Sequence, residues 1–373
     1  MFGALVLGGI ETWLVHMLRH DKEFSVRHEL LLMKPDVGSY EPEIRGLGIP
    51  IHRIPFATAK FRWFSRFRDL LQQEGPFDVV HCHVATHVGA PMLEVARQAE
   101  VPVRIMHCHA APSKGDDFSV RDAVARRLAI PWLRRSATRR IGISELAIEE
   151  ISGRSWPHDP GSSVLIYGFD FSAFSGAPER AKAIRKTLSI PRDSLIVGHV
   201  GRFASQKNHG FLLKAFAVCA RNEPRARLVL VGEGPLQSSM EELARTLGID
   251  ERVHFAGTTH DVPAYMAMFD LFVLPSFHEG LGIVCVEAQA AGTPAIVSDT
   301  TPAEASVVPC AVEFLPLAEG ADAWGKAMAA RLRQPKPKQR DWQETVEKSQ
   351  FGIRRCINDL DAIYRSELNR SKK

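Results

Sequence analysis

No run of about 18 consecutive apolar residues occurs in the 373-residue chain, so it offers no ordinary membrane-spanning helix. The opening MFGALVLGG has neither the basic flank nor the length of a secretory signal, and any membrane contact is expected to be peripheral. The six cysteines (Cys82, Cys108, Cys219, Cys285, Cys310, Cys356) form no CxxC pair and mostly fall inside apolar runs. They read as reduced core thiols of a cytosolic protein rather than as disulfide or zinc positions. No low-complexity tract interrupts the chain, and 45% hydrophobic with 24% charged residues is ordinary globular composition. A formal net charge of +4 is small for this length and gives no argument for a nucleic-acid partner.

What is present is size and rhythm. The length exceeds one compact core and suits two domains of ~150 to 180 residues each. Short apolar runs alternate with amphipathic segments: VRHELLLM (26–33), IPIHRIP (49–55), FDVVHCH (77–83), VPVRIMHCH (101–109), TRRIGIS (138–144) and SVLIYG (163–168). The pattern restarts with SLIVGHVGR (194–202), ARLVLVGEG (226–234), RVHFAG (252–257), LFVLPS (271–276) and PAIVSD (294–299). Such alternation predicts α/β architecture with parallel sheets, as two Rossmann-like domains facing a cleft. The boundaries read as 1–168 for the first domain, 169–345 for the second, and 346–373 for a terminal amphipathic helix.

The chemistry concentrates in LFVLPSFHEGLGIVCVEAQAAGTPAIVSD, where seven residues separate Glu279 from Glu287. Glu279 falls in the loop at the carboxyl end of a strand, where open α/β sheets bind ligands. The amides of Gly280, Leu281, Gly282 and Ile283 stand at a helix start, where unpaired N–H groups and the dipole favour a diphosphate. Read as structure alone, Glu279 is a solvated loop residue and Glu287 an exposed helix residue. A second segment places Arg202 just after a strand and Lys207 just before a helix, two cations suited to a departing nucleoside diphosphate; a surface ion pair is the plainer alternative. Gly8 and Gly9 mark a strand-to-helix turn, but no third glycine follows and the next strand ends Met33, Lys34, Pro35. A dinucleotide fingerprint is therefore missing, which argues against an NAD enzyme.

Histidines gather at strand ends in the first half: His81, His83, His87, His107 and His109. Their spacing fits no standard zinc motif, and no metal is expected. His109, at the end of its strand, is a candidate for a sugar hydroxyl, with satisfied core histidines as the alternative. Two basic clusters remain. One runs from Arg53 through Lys60, Arg62, Arg66 and Arg68 among Phe61, Trp63, Phe64 and Phe67; the other comprises Arg121, Arg126, Arg127, Arg134, Arg135, Arg139 and Arg140. They suit an anionic membrane surface as well as they suit solvated helix faces.

GGIETW (8–13), DVVHCH (78–83), GRFASQKN (201–208), VLVGEGP (229–235), DLFVLPSFHEGLGIVCVEAQAAGTP (270–294) and DAIY (361–364) together resemble the retaining glycosyltransferases of family 4, which have the GT-B architecture. The likeness spans nearly the whole chain. It implies a hexosyl transfer from a nucleoside-diphosphate sugar to a glycan or lipid-linked acceptor, in a cytoplasmic protein that touches the inner face of the membrane peripherally. It further implies a diphosphate held by Arg202 and Lys207, with Gly8 and Gly9 near it or the acceptor. Glu279 would lie near the donor sugar and Glu287 on the ribose. His109, with His107 as its rival, would contact the sugar, and no metal cofactor would be required. A nucleotide-sugar 2-epimerase of the same architecture and a non-catalytic relative are the competing expectations. Two departures stand out: only MFGALVL precedes Gly8, so the first strand is expected to be shortened, and Tyr167 occupies a position where relatives commonly carry Asn.

Overall fold

The computed structural model describes residues 5, 9–56, 60–109, 120–336 and 339–372. It divides into two compact units, Met1–Phe169 with Gln350–Lys373, and Asp170–Ser349. Every paired strand in both is parallel. Strands covered on both faces have no reason to alternate polar and apolar residues, which accounts for runs such as LFVL.

In the first unit β1 (Leu30–Leu32) pairs with β2 (Ile51–Arg53). Separately, β3 (Val79–Cys82), β4 (Val103–Cys108), β5 (Arg139–Gly142) and β6 (Ser162–Val164) form a sheet in that order. A cavity of about 530 Å³ is lined by Leu30 and Leu31 of β1 on one side and by Val79, Val80 and His81 of β3 on the other. The segment expected to form a shortened first strand lies outside the described residues apart from Leu5, which is fully buried and whose carbonyl accepts from the Tyr40 amide at 3.1 Å. The final helix, Ile353–Ser371, is fastened within this unit. Trp13 Nε1 donates to Cys356 Sγ at 3.4 Å, and Asp361 accepts from the Ser25 amide and hydroxyl at 2.7 and 2.6 Å.

The second unit has one continuous sheet of β7 (Leu195–Val200), β8 (Ala226–Val231), β9 (Val253–Phe255), β10 (Leu271–Leu274), β11 (Ala295–Ser298) and β12 (Val312–Leu315). The spatial order is β12-β11-β10-β7-β8-β9. Counted along the chain this is the doubly wound 3-2-1-4-5-6 arrangement, and its direction reverses between β7 and β10. Leu212, Phe216, Leu228, Val273 and Trp324 are wholly buried in its core. Gly325 lets helix Gly320–Leu332 lie close on helix His209–Asn222, since a Cβ there would come 2.5 Å from the Ala215 carbonyl oxygen.

Candidate functional site

In an open doubly wound sheet the loops that leave the carboxyl ends of the two strands at the reversal point diverge, and the crevice between them is the binding place. In the second unit these are the loops after β7 and after β10, the two segments that carry Arg202, Lys207 and Glu279. They are stapled together. The Phe277 amide donates to the Gln206 carbonyl at 2.9 Å, and Gln206 Nε2 donates to the His278 carbonyl at 2.9 Å. Lys207 Nζ reaches Glu279 Oε1 at 2.6 Å, with the two side chains only 16% and 8% exposed. Glu279 is thus no solvated loop residue. Arg202, by contrast, is exposed and has no ion-pair partner among the described residues.

Helix Ile283–Ala290 begins directly after this loop, with Gly282 as its N-cap at φ +64°, in the left-handed region. A side chain there would be strained and would also put its Cβ 2.9 Å from Thr301 Cγ2. Glycine therefore lets the backbone of Gly280, Leu281, Gly282 and Ile283 turn into the helix directly after the β10 loop. Glu287 lies one turn into that helix. Its surface is partly accessible, yet the surrounding protein desolvates its carboxyl enough to push the pKa up to about 7. Neither feature belongs to an ordinary exposed helix residue.

The support beneath the loop was not legible in the sequence. Gln289 is fully buried and binds the segment beside Gly282 from both directions: its Nε2 donates to the Ala305 carbonyl at 2.6 Å, and its Oε1 accepts from the Val307 and Val308 amides at 2.9 and 2.8 Å. Ser298 and Thr300 hydroxyls both donate to the Ser276 carbonyl, at 2.7 and 2.9 Å. A glutamine in an apolar helix was the one available signal, since a buried amide needs several partners.

The histidines form a separate group in the first unit. His81 and His83 extend from β3, and His107 and His109 from β4; the period of two puts each pair on one sheet face. His83 Nδ1 and His109 Nε2 are 2.9 Å apart, and His109 Nδ1 makes a short hydrogen bond with Tyr167 Oη. A neutral imidazole carries one proton, so the bonds are correlated: if Tyr167 donates to His109, His109 donates to His83, and reversal of one reverses both. Tyr167 also stacks on Trp13 at 4.8 Å and 21°. This explains the tyrosine that departs from the family pattern, and it revises the picture of His109 as a side chain open to a sugar hydroxyl. Both of its ring nitrogens are already engaged, so a ligand has to exchange with Tyr167 or His83. Burial pushes the His109 pKa down to about 3 and holds His81, His83 and His107 well below the usual imidazole range. His107 is wholly buried, with neither ring nitrogen hydrogen-bonded among the described residues.

His81, His83 and His107 each place a ring nitrogen within 4.8 Å of the others. A metal ion must lie near the plane of every ring that ligates it, however, and His81 and His107 are stacked 5.3 Å apart at 11°. That geometry favours packing over coordination. Gly9 opens helix Gly9–Arg19 in the same unit; Gly8 lies outside the described residues.

The chain is similar to known glycosyltransferases along nearly its whole length. Residues 180–349 match the model for glycosyl transferases group 1, and residues 8–160 match the glycosyl transferase 4-like domain. EpsF of Bacillus subtilis, named as a glycosyltransferase, is 31% identical over 359 residues, covering 96% of this chain and 93% of its own. Anabaena HepE, solved with UDP and glucose, superposes with a TM-score of 0.80 at 20% identity, covering 98% of both chains. The Escherichia coli UDP-Gal:alpha-D-GlcNAc-diphosphoundecaprenol alpha-1,3-galactosyltransferase is 32% identical over 140 residues, 37% of this chain and 36% of its own. The chain belongs to the family 4 glycosyltransferases of GT-B architecture, enzymes of polysaccharide and glycoconjugate synthesis. Its two units are the two Rossmann-like domains of that architecture.

Proposed function

We propose that the enzyme transfers a hexosyl group, with retention of anomeric configuration, from a nucleoside-diphosphate sugar to a glycan or lipid-linked acceptor during polysaccharide synthesis. The observation that carries the reading is the Lys207–Glu279 pair, held at 2.6 Å where the sheet order reverses and next to the helix start at Gly282. In the reaction the bond from the anomeric carbon to the β-phosphate oxygen breaks. The acceptor oxygen bonds to the same face of the sugar, and its proton leaves on the departing phosphate. Charge accumulates on the diphosphate, where Arg202, Lys207 and the leading amides of helix Ile283–Ala290 stabilise it; such preorganised electrostatics is usually the largest catalytic effect. Glu279 orients Lys207 and lies beside the sugar. Glu287 accepts from ribose hydroxyls, and His109 in the first unit meets the transferred sugar by exchanging its hydrogen bond with Tyr167 or His83.

Arginine and lysine supply the positive charge, so the reading includes no metal. The reading includes a cytoplasmic, peripheral position at the inner face of an anionic membrane, and the Escherichia coli relative named for a diphosphoundecaprenol acceptor supports it. Thermal shift with UDP, GDP, ADP and their sugars tests the donor class: a ligand at 100 times its dissociation constant stabilises by ~2.7 kcal/mol. Transfer to a lipid-linked acceptor, followed by NMR of the new glycosidic linkage, tests the stereochemistry. Indifference to every nucleoside diphosphate, or an inverted product, would overturn the reading.

A further inference from the structure

Two arginine-rich helices lie in the first unit, and the fold treats their aromatic residues in opposite ways. In helix Lys60–Gln73, Trp63 and Phe67 are buried, and Trp63 Nε1 donates to the Ile54 carbonyl at 2.8 Å. Trp63 and Phe67 among these cations thus belong to the core, and Phe64 is half-buried. Arg139 and Arg140 are likewise spent inside the fold, on the Pro160 carbonyl at 2.6 Å and on the Asp159 carboxylate.

Helix Val120–Ser136 is different. It buries Ala129, Leu133 and Ser136, yet it also exposes Val124, Leu128 and Trp132, at 53, 72 and 58%. Their spacing of four residues aligns them in one ridge along the helix. Of the chain's six tryptophans only Trp132 is exposed. Arg127 and Arg135 are exposed on the same face, one beside the ridge and one along it, and neither has an ion-pair partner among the described residues. Arg126, by contrast, turns to Glu150 at 3.3 Å. An apolar ridge with an amphipathic ring and outward guanidinium groups combines the three features of an interfacial helix: side chains that enter the headgroup boundary, a ring that prefers it, and cations that meet anionic lipid.

We propose that the Val124–Leu128–Trp132 ridge, with Arg127 and Arg135, docks the enzyme on an anionic lipid bilayer. The arginines select the occupant, because a purely apolar partner would leave them desolvated and unpaired, whereas phosphate headgroups pair with them. This deepens the membrane-side reading of the function, but its readout is lipid partition rather than transfer, so either can fail while the other stands.

The test uses the full chain and vesicles of phosphatidylcholine with and without phosphatidylglycerol, in flotation assays and by tryptophan fluorescence. Wild type should float only with the anionic vesicles, with a blue-shifted emission that Trp132→Phe removes. Leu128→Ser/Trp132→Ser should weaken partition by about tenfold or more. Arg127→Gln and Arg135→Gln should each weaken it roughly fivefold at low salt. Arg62→Gln/Arg66→Gln, on the helix that buries Trp63 and Phe67, should change partition by less than either arginine variant of the ridge. The melting temperature of each variant should match wild type, since every altered side chain is exposed. Absence of wild-type flotation, undiminished flotation of the folded ridge variant, or a wild-type dimer that the ridge variant dissolves would each overturn the proposal, the last in favour of a second copy of the chain.

Discussion

The two units build opposite chemistry at the carboxyl ends of their strands. The second closes one six-stranded sheet and sets charges at its reversal point: Lys207 paired with Glu279, Arg202 exposed, and Glu287 with its pKa pushed up to about 7 by burial. Among the described residues of the first, the strands fall in two sheets with a cavity lined by β1 and β3, and four histidines gather that burial keeps neutral. The contrast fits a division of labour. In the proposed reaction the diphosphate would demand fixed positive charge, while neutral sugar hydroxyls would need only uncharged hydrogen-bonding groups. Substitutions in one unit should therefore move affinity and turnover through charge, and those in the other through hydrogen bonding and packing.

The largest effect should come from the cations. Arg202→Ala and Lys207→Ala should each lose ~2 to 4 kcal/mol of transition-state stabilisation, a fall in kcat of roughly 30-fold to 1000-fold, without unfolding. Because Lys207 and Glu279 touch, Lys207→Ala/Glu279→Ala should cost less than the sum of the single changes by ~1 kcal/mol or more, as steady-state rates would show. Wild-type turnover in either single cation variant would erase the contrast between the units.

Glu287 comes next. Its change to Ala should weaken nucleoside-diphosphate binding by ~1.5 to 3 kcal/mol by titration calorimetry. The pH dependence has a definite sign. The folded protein raises this carboxyl from 4.5 to about 7, so the fold favours the protonated form, and its contribution to stability falls as pH climbs through that range. Ribose hydroxyls need the ionised form as acceptor. Affinity relative to Glu287→Gln should therefore rise about tenfold from pH 6 to pH 8; a constant ratio would remove Glu287 from the nucleotide site.

Gly282→Ala should lower stability by ~1 to 2 kcal/mol for the left-handed conformation alone, visible in the melting temperature, with Thr301 adding a clash. In the first unit Tyr167→Phe should cost ~1 kcal/mol and shift the His109 ring resonances in nitrogen-15 NMR, because one partner of the imidazole is deleted. A resonance pattern unchanged by the substitution would mean that the hydrogen bond does not set the tautomer. The smallest effect belongs to chelation: EDTA should leave transfer unchanged. Loss of activity restored by a divalent ion would place metal chemistry on the enzyme and make His81, His83 and His107 the first residues to replace.

Much of this could be read without coordinates because it is local. Apolar runs of strand length separated by amphipathic segments predict parallel sheets, and a glycine between Glu279 and Glu287 predicts a loop entering a helix. The pairing of Lys207 with Glu279 could not be read, since 71 residues intervene and only the sheet order makes their loops neighbours. Nor could the fate of the two arginine-rich helices, of which one buries Trp63 and Phe67 and the other exposes Trp132.

The sequence by itself determined the architecture, the family and the positions where charge and glycine accumulate, because periodicity and turn chemistry act over a few residues. Tertiary structure alone decided which of these groups meet, which are dry and which protonation state they hold. Burial and pairing depend on chain segments distant in sequence, and it is their packing that raises Glu287, neutralises the histidines and leaves Trp132 outside.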